Sequence, residues 1–250
     1  MHIRLLIWFI LFSFSGINTY CQTSIDADIM YDFRLDKAWY MKEMSSYLDT
    51  TFLNRFEEDV RFYEKQDSTD GIKEGQILFV GSSTIRKWNN LRKDMYPLSV
   101  INRGFGGSTL PELLYYYDRL VLKYKPSKIV LYEGDNDITA SFLTPETVFN
   151  CFKLFIQLTE NYLPGTPVYF ISIKLSPARE KYMDKLLITN MMIEEYCHTR
   201  PNLYYIDITQ NMYDDYGNVR TDIFLSDELH LNEKGYQLWT DIIKKALINN

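Results

Sequence analysis

The residues able to do chemistry in this sequence are two adjacent serines, an aspartate–histidine pair, and a few glycines with one asparagine. Ser82 and Ser83 follow the apolar run Ile77-Leu78-Phe79-Val80 and Gly81, and a more polar segment comes after them. That order reads as a buried strand, a tight turn and the first turn of a helix. It sets a hydroxyl at the carboxyl end of a strand, beside backbone N–H groups that no helical partner claims. A nucleophile there would have donors close to the anion that its attack creates. Serines before helices also serve simply as caps, so this stretch alone leaves both uses open.

Asp227 and His230 stand three residues apart, and the other histidines are His2 and His198. On a tight turn that spacing brings a carboxylate and an imidazole onto one face. The carboxylate fixes the tautomer and favours the imidazolium, which leaves the second ring nitrogen free to take a proton from a serine hydroxyl. The plainer reading is a helix-capping aspartate with an exposed histidine nearby. A serine nucleophile also needs donors for its oxyanion. Gly107 can offer a backbone N–H where a side chain would block approach, Asn136 a side-chain amide, and Ser83 its own N–H. Taken singly, Gly104, Gly106 and Gly107 mark a tight turn and Asn136 an Asx-type turn.

These residues have to be positioned by regular elements. Five apolar runs, 77–80, 98–101, 128–132, 168–173 and 203–208, alternate with segments of helical pattern. Phe52, Phe56, Val60 and Tyr63 predict a helix over 51–66, and 67–75 reads as a polar linker. Thr109 with Glu112 has the spacing of a capping box, and Thr144-Pro145-Glu146 opens another helix. Further helices are expected over 178–198 and 232–247. Alternation of this kind predicts a parallel sheet with helices on both faces, whose ligands sit beyond the carboxyl ends of the strands. Ser83, the glycines, Asn136, and Asp227 with His230 all fall in such positions.

The net charge of −6 with no long basic run argues against a nucleic-acid partner. A Gly-x-Ser-x-Gly elbow would need glycine where Ile85 stands, and a dinucleotide loop starting at Gly104 would need glycine at Thr109. Asp135-Asn136-Asp137 has Ala140 where a calcium loop requires glycine, and one histidine in the constellation does not support a zinc centre. Arg4 followed by the apolar run 5–14 reads as a secretory signal with cleavage after Cys21, too short for a confident membrane span. Cys151 and Cys197 then remain, both in helix-like segments, with no disulfide framework indicated. Residues 22–50, mixed and aromatic, read as a surface extension that packs on a single domain over 51–250.

Four blocks, in order, resemble the SGNH (GDSL-type) hydrolases. Gly81-Ser82-Ser83 is similar to the family's Gly-Asp-Ser, Asn102 to Gly107 to Asn-x-x-x-x-Gly, Gly134-Asp135-Asn136-Asp137 to Gly-x-Asn-Asp, and Asp227 to His230 to Asp-x-x-His. The resemblance spans roughly residue 74 to the carboxyl end. It implies a three-layer α/β/α sandwich with a five-stranded parallel sheet of flavodoxin-like order. It also implies a serine esterase without metal or organic cofactor. Ser83 becomes the nucleophile because the family block places it third, with Asp227 and His230 completing a triad. Ser83, Gly107 and Asn136 become the oxyanion donors. Ser82 and Thr84 depart from the name-giving motif at positions without a catalytic role in the family. The extended forms Val80-Gly81-Ser82-Ser83 and Gly106-Gly107-Ser108-Thr109 resemble the platelet-activating-factor acetylhydrolase-like branch, which implies a short acyl group. With export, a small-molecule or glycan ester is the expected substrate. Acyl transfer through the same acyl-enzyme and a catalytically silent glycan-binding module are the other readings.

Overall fold

The computed structural model describes residues 33, 37–42, 44–45, 49–140 and 143–249. The expected signal segment and its cleavage point lie outside the described residues. The elements that carry the site are α1 (Glu57–Asp70), β1 (Ile77–Gly81), α2 (Ser83–Arg86), α3 (Leu91–Asp94), β2 (Val100–Gly104), α4 (Leu110–Tyr115) and α5 (Tyr117–Leu120). They continue with β3 (Lys128–Tyr132), α6 (Asp135–Thr139), α7 (Pro145–Tyr162), β4 (Val168–Ile171), α8 (Met183–His198), β5 (Leu203–Ile206) and α9 (Glu233–Asn249). All strand pairs are parallel and the order is β2-β1-β3-β4-β5, the flavodoxin-like order that the resemblance implies.

The central strands β1, β3 and β4 are almost wholly apolar because both of their faces are covered, whereas the edge strand β2 starts within the expected run 98–101 and continues through Asn102 and Arg103 to Gly104. Side chains alternate across a strand. Leu78 and Val80 of β1, Ile129 and Leu131 of β3, and Phe170 of β4 enter one core with Val60 of α1, Leu113 of α4, Phe152 of α7 and Ile193 of α8. Ile77 and Phe79, Val130 and Tyr132, and Tyr169 and Ile171 enter the other, with Ile85 of α2, Leu91 of α3, and Trp239 and Ile243 of α9.

The ends of the elements depart from the sequence expectation in informative ways. The helix expected over 51–66 begins at Glu57, and 51–56 are turns. Those turns let the Phe56 ring rest on Gly106, where an added Cβ would meet ring atoms, and let Arg55 reach Glu112. The expected linker 67–75 begins as the last turn of α1. Asp67 is buried there and accepts from Arg103 at 2.6 Å and from the Tyr124 hydroxyl at 2.7 Å. Its polarity reflects a buried ion pair rather than a solvated chain. A short helix, α6, stands where only a loop was expected. The helix expected from 178 opens as a 3-10 turn over Pro177–Tyr182. In the stretch 22–50, residues 37–42 are helical, and Phe33, Tyr40 and Met44 are fully buried in the first core. Cys151 and Cys197 are buried and free.

At the carboxyl ends of β1 and β3 the chain leaves the sheet in opposite directions, the place where ligands bind in such folds. Gly81 ends β1 with φ of +136°, and an added Cβ would come within 2.0 Å of the Tyr132 carbonyl oxygen. Both the torsion and the approach demand glycine. Gly81→Ala is expected to lower stability by about 3 kcal/mol or more, since overpacking and a forbidden torsion act together. A urea midpoint unchanged from wild type would contradict this.

Candidate active site

Ser83 is the first residue of α2. Ser82 precedes it in an extended conformation, is buried, and makes no side-chain capping bond. The Ser82 N–H donates to the Tyr132 carbonyl at 3.1 Å, and the Phe105 N–H donates to the Gly81 carbonyl at 2.9 Å. The turn is thereby tied to the ends of both neighbouring strands. Helix α2 caps β2 so closely that a Cβ at Gly104 would sit 2.4 Å from the Arg86 nitrogen. Of the two serines, only Ser83 has a half-buried side chain facing the crevice, and its Oγ lies 3.0 Å from His230 Nε2.

His230 is presented by a turn of its own making. Asp227 Oδ1 accepts from the backbone N–H of Leu229 at 3.0 Å and of His230 at 2.9 Å, while Oδ2 lies 2.6 Å from His230 Nδ1. No helix starts at Asp227, so it is not the helix cap of the plainer reading; one oxygen closes a turn on two backbone N–H groups and the other pairs with the imidazole. Partial burial pushes the Asp227 carboxyl up. The bonds from the His230 ring and from the two N–H groups outweigh that and hold it well below the usual carboxylate range. Glu228 adopts a left-handed φ of 55° to close the turn, and its carbonyl accepts from Ala178 N–H at 3.2 Å. Asn232 fastens the far side, donating to the Asp222 and Phe224 carbonyls at 2.8 and 2.9 Å.

Gly107 and Asn136 meet across the loops after β2 and β3. A Cβ added at Gly107 would lie 3.7 Å from Asn136 Nδ2. The fold has room for it, but the room is the gap in front of the amide. Asn136 Nδ2 donates to the Ser108 carbonyl at 3.0 Å, and Arg55 donates to the Gly107 carbonyl at 3.2 Å. The arrangement thus has two linked sets: Ser83, His230 and Asp227 joined by hydrogen bonds, and Gly107 with Asn136 in contact beside the adjoining strand end. Chemically, the first set can move a proton off a hydroxyl and the second can present donors to an anion.

Several polar residues beneath the site were not found from sequence. Lys174, fully buried at the end of β4, bonds Asp135 Oδ2 and also donates to Tyr132 Oη at 3.1 Å and Thr84 Oγ1 at 3.4 Å. Arg179 donates to Asp135 Oδ1 at 3.1 Å and to Asn136 Oδ1 at 3.4 Å. A lysine and an arginine flanking Ser176-Pro177, straight after an apolar strand, were the available signal. Burial pushes Asp135 up, but Lys174 and then Arg179 outweigh it and keep the carboxylate ionised. Glu112, Glu133 and Asp137 are also fully buried. Thr109 donates to Glu112 from both N–H and hydroxyl, at 3.0 and 2.9 Å, which realises the expected capping-box pair. Asp137 accepts from the N–H of Leu110 at 2.8 Å and of Gly134 at 3.1 Å. Glu133 accepts from the Ser108 hydroxyl at 2.6 Å. Among the described residues, no His, Cys, Asp and Glu side chains converge in a group of three that could hold a metal ion.

A model of the GDSL-like lipase/acylhydrolase family matches residues 67–238. Among solved structures, a GDSL-like lipase of Bacteroides thetaiotaomicron VPI-5482 is similar with a TM-score of 0.66 and 19% identity, covering 76% of this chain and 97% of that one. A lipase/acylhydrolase from Enterococcus faecalis is similar with a TM-score of 0.59 and 20% identity, covering 69% and 95%. At such identities the likeness establishes the fold. No curated protein matches the chain.

Burial raises Glu133 well above its ordinary value and Asp137 to about 7. Both bind their protons more tightly folded than unfolded. Their contribution to stability is complete below the ordinary carboxyl pKa of about 4 and is lost as pH rises through the folded values. Glu133→Gln keeps the acceptor for Ser108 and cannot ionise. The melting temperature of this variant, relative to wild type, is expected to climb as pH rises above the ordinary carboxyl range. A difference that stays flat above that range would mean Glu133 is already ionised in the folded protein.

Proposed function

The chain belongs to the GDSL-like lipase/acylhydrolase family and is an ester-hydrolysing enzyme, and we propose that Ser83, His230 and Asp227 are its catalytic triad. The observation that carries this reading is the unbroken chain Ser83 Oγ–His230 Nε2 at 3.0 Å and His230 Nδ1–Asp227 Oδ2 at 2.6 Å. Ser83 Oγ attacks the ester carbonyl while His230 Nε2 takes its proton. The carbonyl oxygen becomes an oxyanion, held by the N–H groups of Ser83 and Gly107 and the Asn136 amide. Collapse of the tetrahedral species breaks the bond to the alcohol, which leaves with the proton from His230. Water then repeats the sequence on the acyl-serine, giving the acid and free Ser83. Asp227 keeps Nδ1–H fixed and stabilises the imidazolium throughout. No step calls on a metal or an organic cofactor.

The substrate we infer is a short-acyl ester, acetyl first. The support is the likeness of the blocks around Gly81 and Gly106 to the acetylhydrolase-like branch. The alcohol is a sugar hydroxyl if the segment led by Arg4 directs export to the periplasm or the exterior. No described helix is long and apolar enough to cross a membrane. Transfer of the acyl group to an added alcohol in place of water, or a silent glycan-binding role, would appear in the same assays as an ester product or as no turnover.

Ser83→Ala and His230→Ala are each expected to lower kcat on a short-chain aryl ester by at least about a thousandfold, and Asp227→Asn by less than either. A fluorophosphonate is expected to label wild type at Ser83 and to leave Ser83→Ala unlabelled. Equal hydrolysis by wild type and Ser83→Ala would overturn the triad. Absence of acetate release from any O-acetylated glycan would overturn the sugar-ester substrate.

A further inference from the structure

An asparagine amide has two ends of opposite character, and only one of them can donate to an oxyanion. Asn136 would be useless if its amide were turned over, and nothing in its own covalent geometry prevents that. Its surroundings do. The Ser108 carbonyl can only accept and lies 3.0 Å from Nδ2. The Arg179 guanidinium can only donate and lies 3.4 Å from Oδ1. A flipped amide would face carbonyl with carbonyl and N–H with N–H. Arg179 is in turn fixed by Asp135 Oδ1, at 3.1 Å from its Nε, and Asp135 is fixed on its other oxygen by the buried Lys174. The guanidinium is a rigid planar fork, so a hold on one carboxylate oxygen sets the direction of its other donors. Asp135 and Asn136 are consecutive in α6, and the fork bridges them.

We propose that Arg179 is a positioning residue that locks the Asn136 amide with Nδ2 toward the oxyanion and Oδ1 away from it. The proposal rests on the reading of Asn136 as an oxyanion donor. Asn136 Nδ2 carries two hydrogens. One is spent on Ser108, and the other is the donor that Arg179 keeps aimed. The lock acts on the transition state and not on the ground-state ester, so its loss reads as kcat with little change in KM.

The test is a double-mutant cycle on a short-chain aryl ester, with Asn136→Ala, Arg179→Met and the double variant, each checked for melting temperature. Asn136→Ala is expected to lose about a hundredfold to a thousandfold in kcat. Arg179→Met is expected to lose up to about a hundredfold with KM nearly unchanged. The double variant is expected to be no slower than Asn136→Ala alone. Arg179→Lys guards against a folding failure. It keeps a cation beside Asp135 but offers no fork, so it is expected to melt near wild type and still lose kcat. Guanidinium added well below denaturing concentration is expected to restore part of the activity of Arg179→Ala. Multiplicative losses in the double variant, or a rise in KM alone, would overturn the positioning role while leaving Asn136 as a donor. Full activity in Asn136→Ala would instead remove the oxyanion reading, and the proposal with it.

Discussion

The site depends on how closely the ends of β1 and β3 approach one another. Gly81 lies against the Tyr132 carbonyl at a distance that excludes any Cβ, and the next residue donates its N–H to that same oxygen. These contacts set the serine turn and the 133–137 turn on adjoining strands, at the point where the connections diverge to opposite sides. The loop after β2 is pulled in from the other flank by the Phe105 N–H on the Gly81 carbonyl. Three loops from three neighbouring strands thus meet without long side chains to bridge them. The short backbone bonds make the geometry stiff, because packed strand ends cannot slide independently.

The turn after β3 shows what it takes to keep such a place dry. Glu133, Asp135 and Asp137 are all buried in five residues of sequence, and an unpaired buried charge is too costly to survive. Each carboxyl is accommodated differently. Glu133, whose ionisation burial disfavours, receives the Ser108 hydroxyl. Asp135 is ionised between Lys174 and Arg179. Asp137 receives two backbone N–H groups, one of them from Leu110 in the neighbouring loop. The solutions point in different directions, toward the β2 loop through Ser108 and Leu110 and toward the β4 loop through Lys174 and Arg179. Asn136 sits among these anchors and inherits their rigidity.

Much of this was legible in the sequence because it is written locally. Each of the five strands overlaps an apolar run, β2 only in its first two residues, and the sheet order follows from strand–helix alternation together with the family resemblance. Asp227 and His230 are three residues apart, so their pairing could be read from spacing. Thr109 with Glu112 and Thr144 with Pro145 announced their helices. What stayed hidden depends on partners distant in sequence. Asp67 read as linker because its cation, Arg103, comes 36 positions later. Arg55 and Phe56 read as helix because their partners, Gly106 and Gly107 in the loop after β2 and Glu112 in α4, are some fifty positions away. Lys174 and Arg179 carried no periodic signal, and only the meeting of the β3 and β4 ends gives them a role. Phe33, Tyr40 and Met44 do stand at spacings of seven and four and are buried together in the first core, a face masked in the sequence by large residues such as the exposed Trp39.

The bond between Ser83 and His230 joins residues 147 positions apart, yet neither side relies on it for shape. The serine turn is held by β1, β3 and the close seat of α2 on β2. The histidine turn is held by Asp227 and Asn232. The relation between them has to come from elsewhere, and α9 supplies it. The Tyr236 hydroxyl donates to the Thr84 carbonyl at 2.9 Å, directly after the serine. The Tyr236 ring lies 5.1 Å from that of Trp88, just past the end of α2, and Trp239 packs on both Trp88 and Tyr132. Gly235 brings the start of α9 against the Ile223 carbonyl, where a Cβ would come within 2.4 Å. An aromatic cluster in the second core thus fixes the distance between two independently built turns. Aromatic rings suit that task because they fill volume with few rotatable bonds and meet at defined angles. The 3.0 Å approach of Ser83 to His230 therefore rests on packing between α2 and α9.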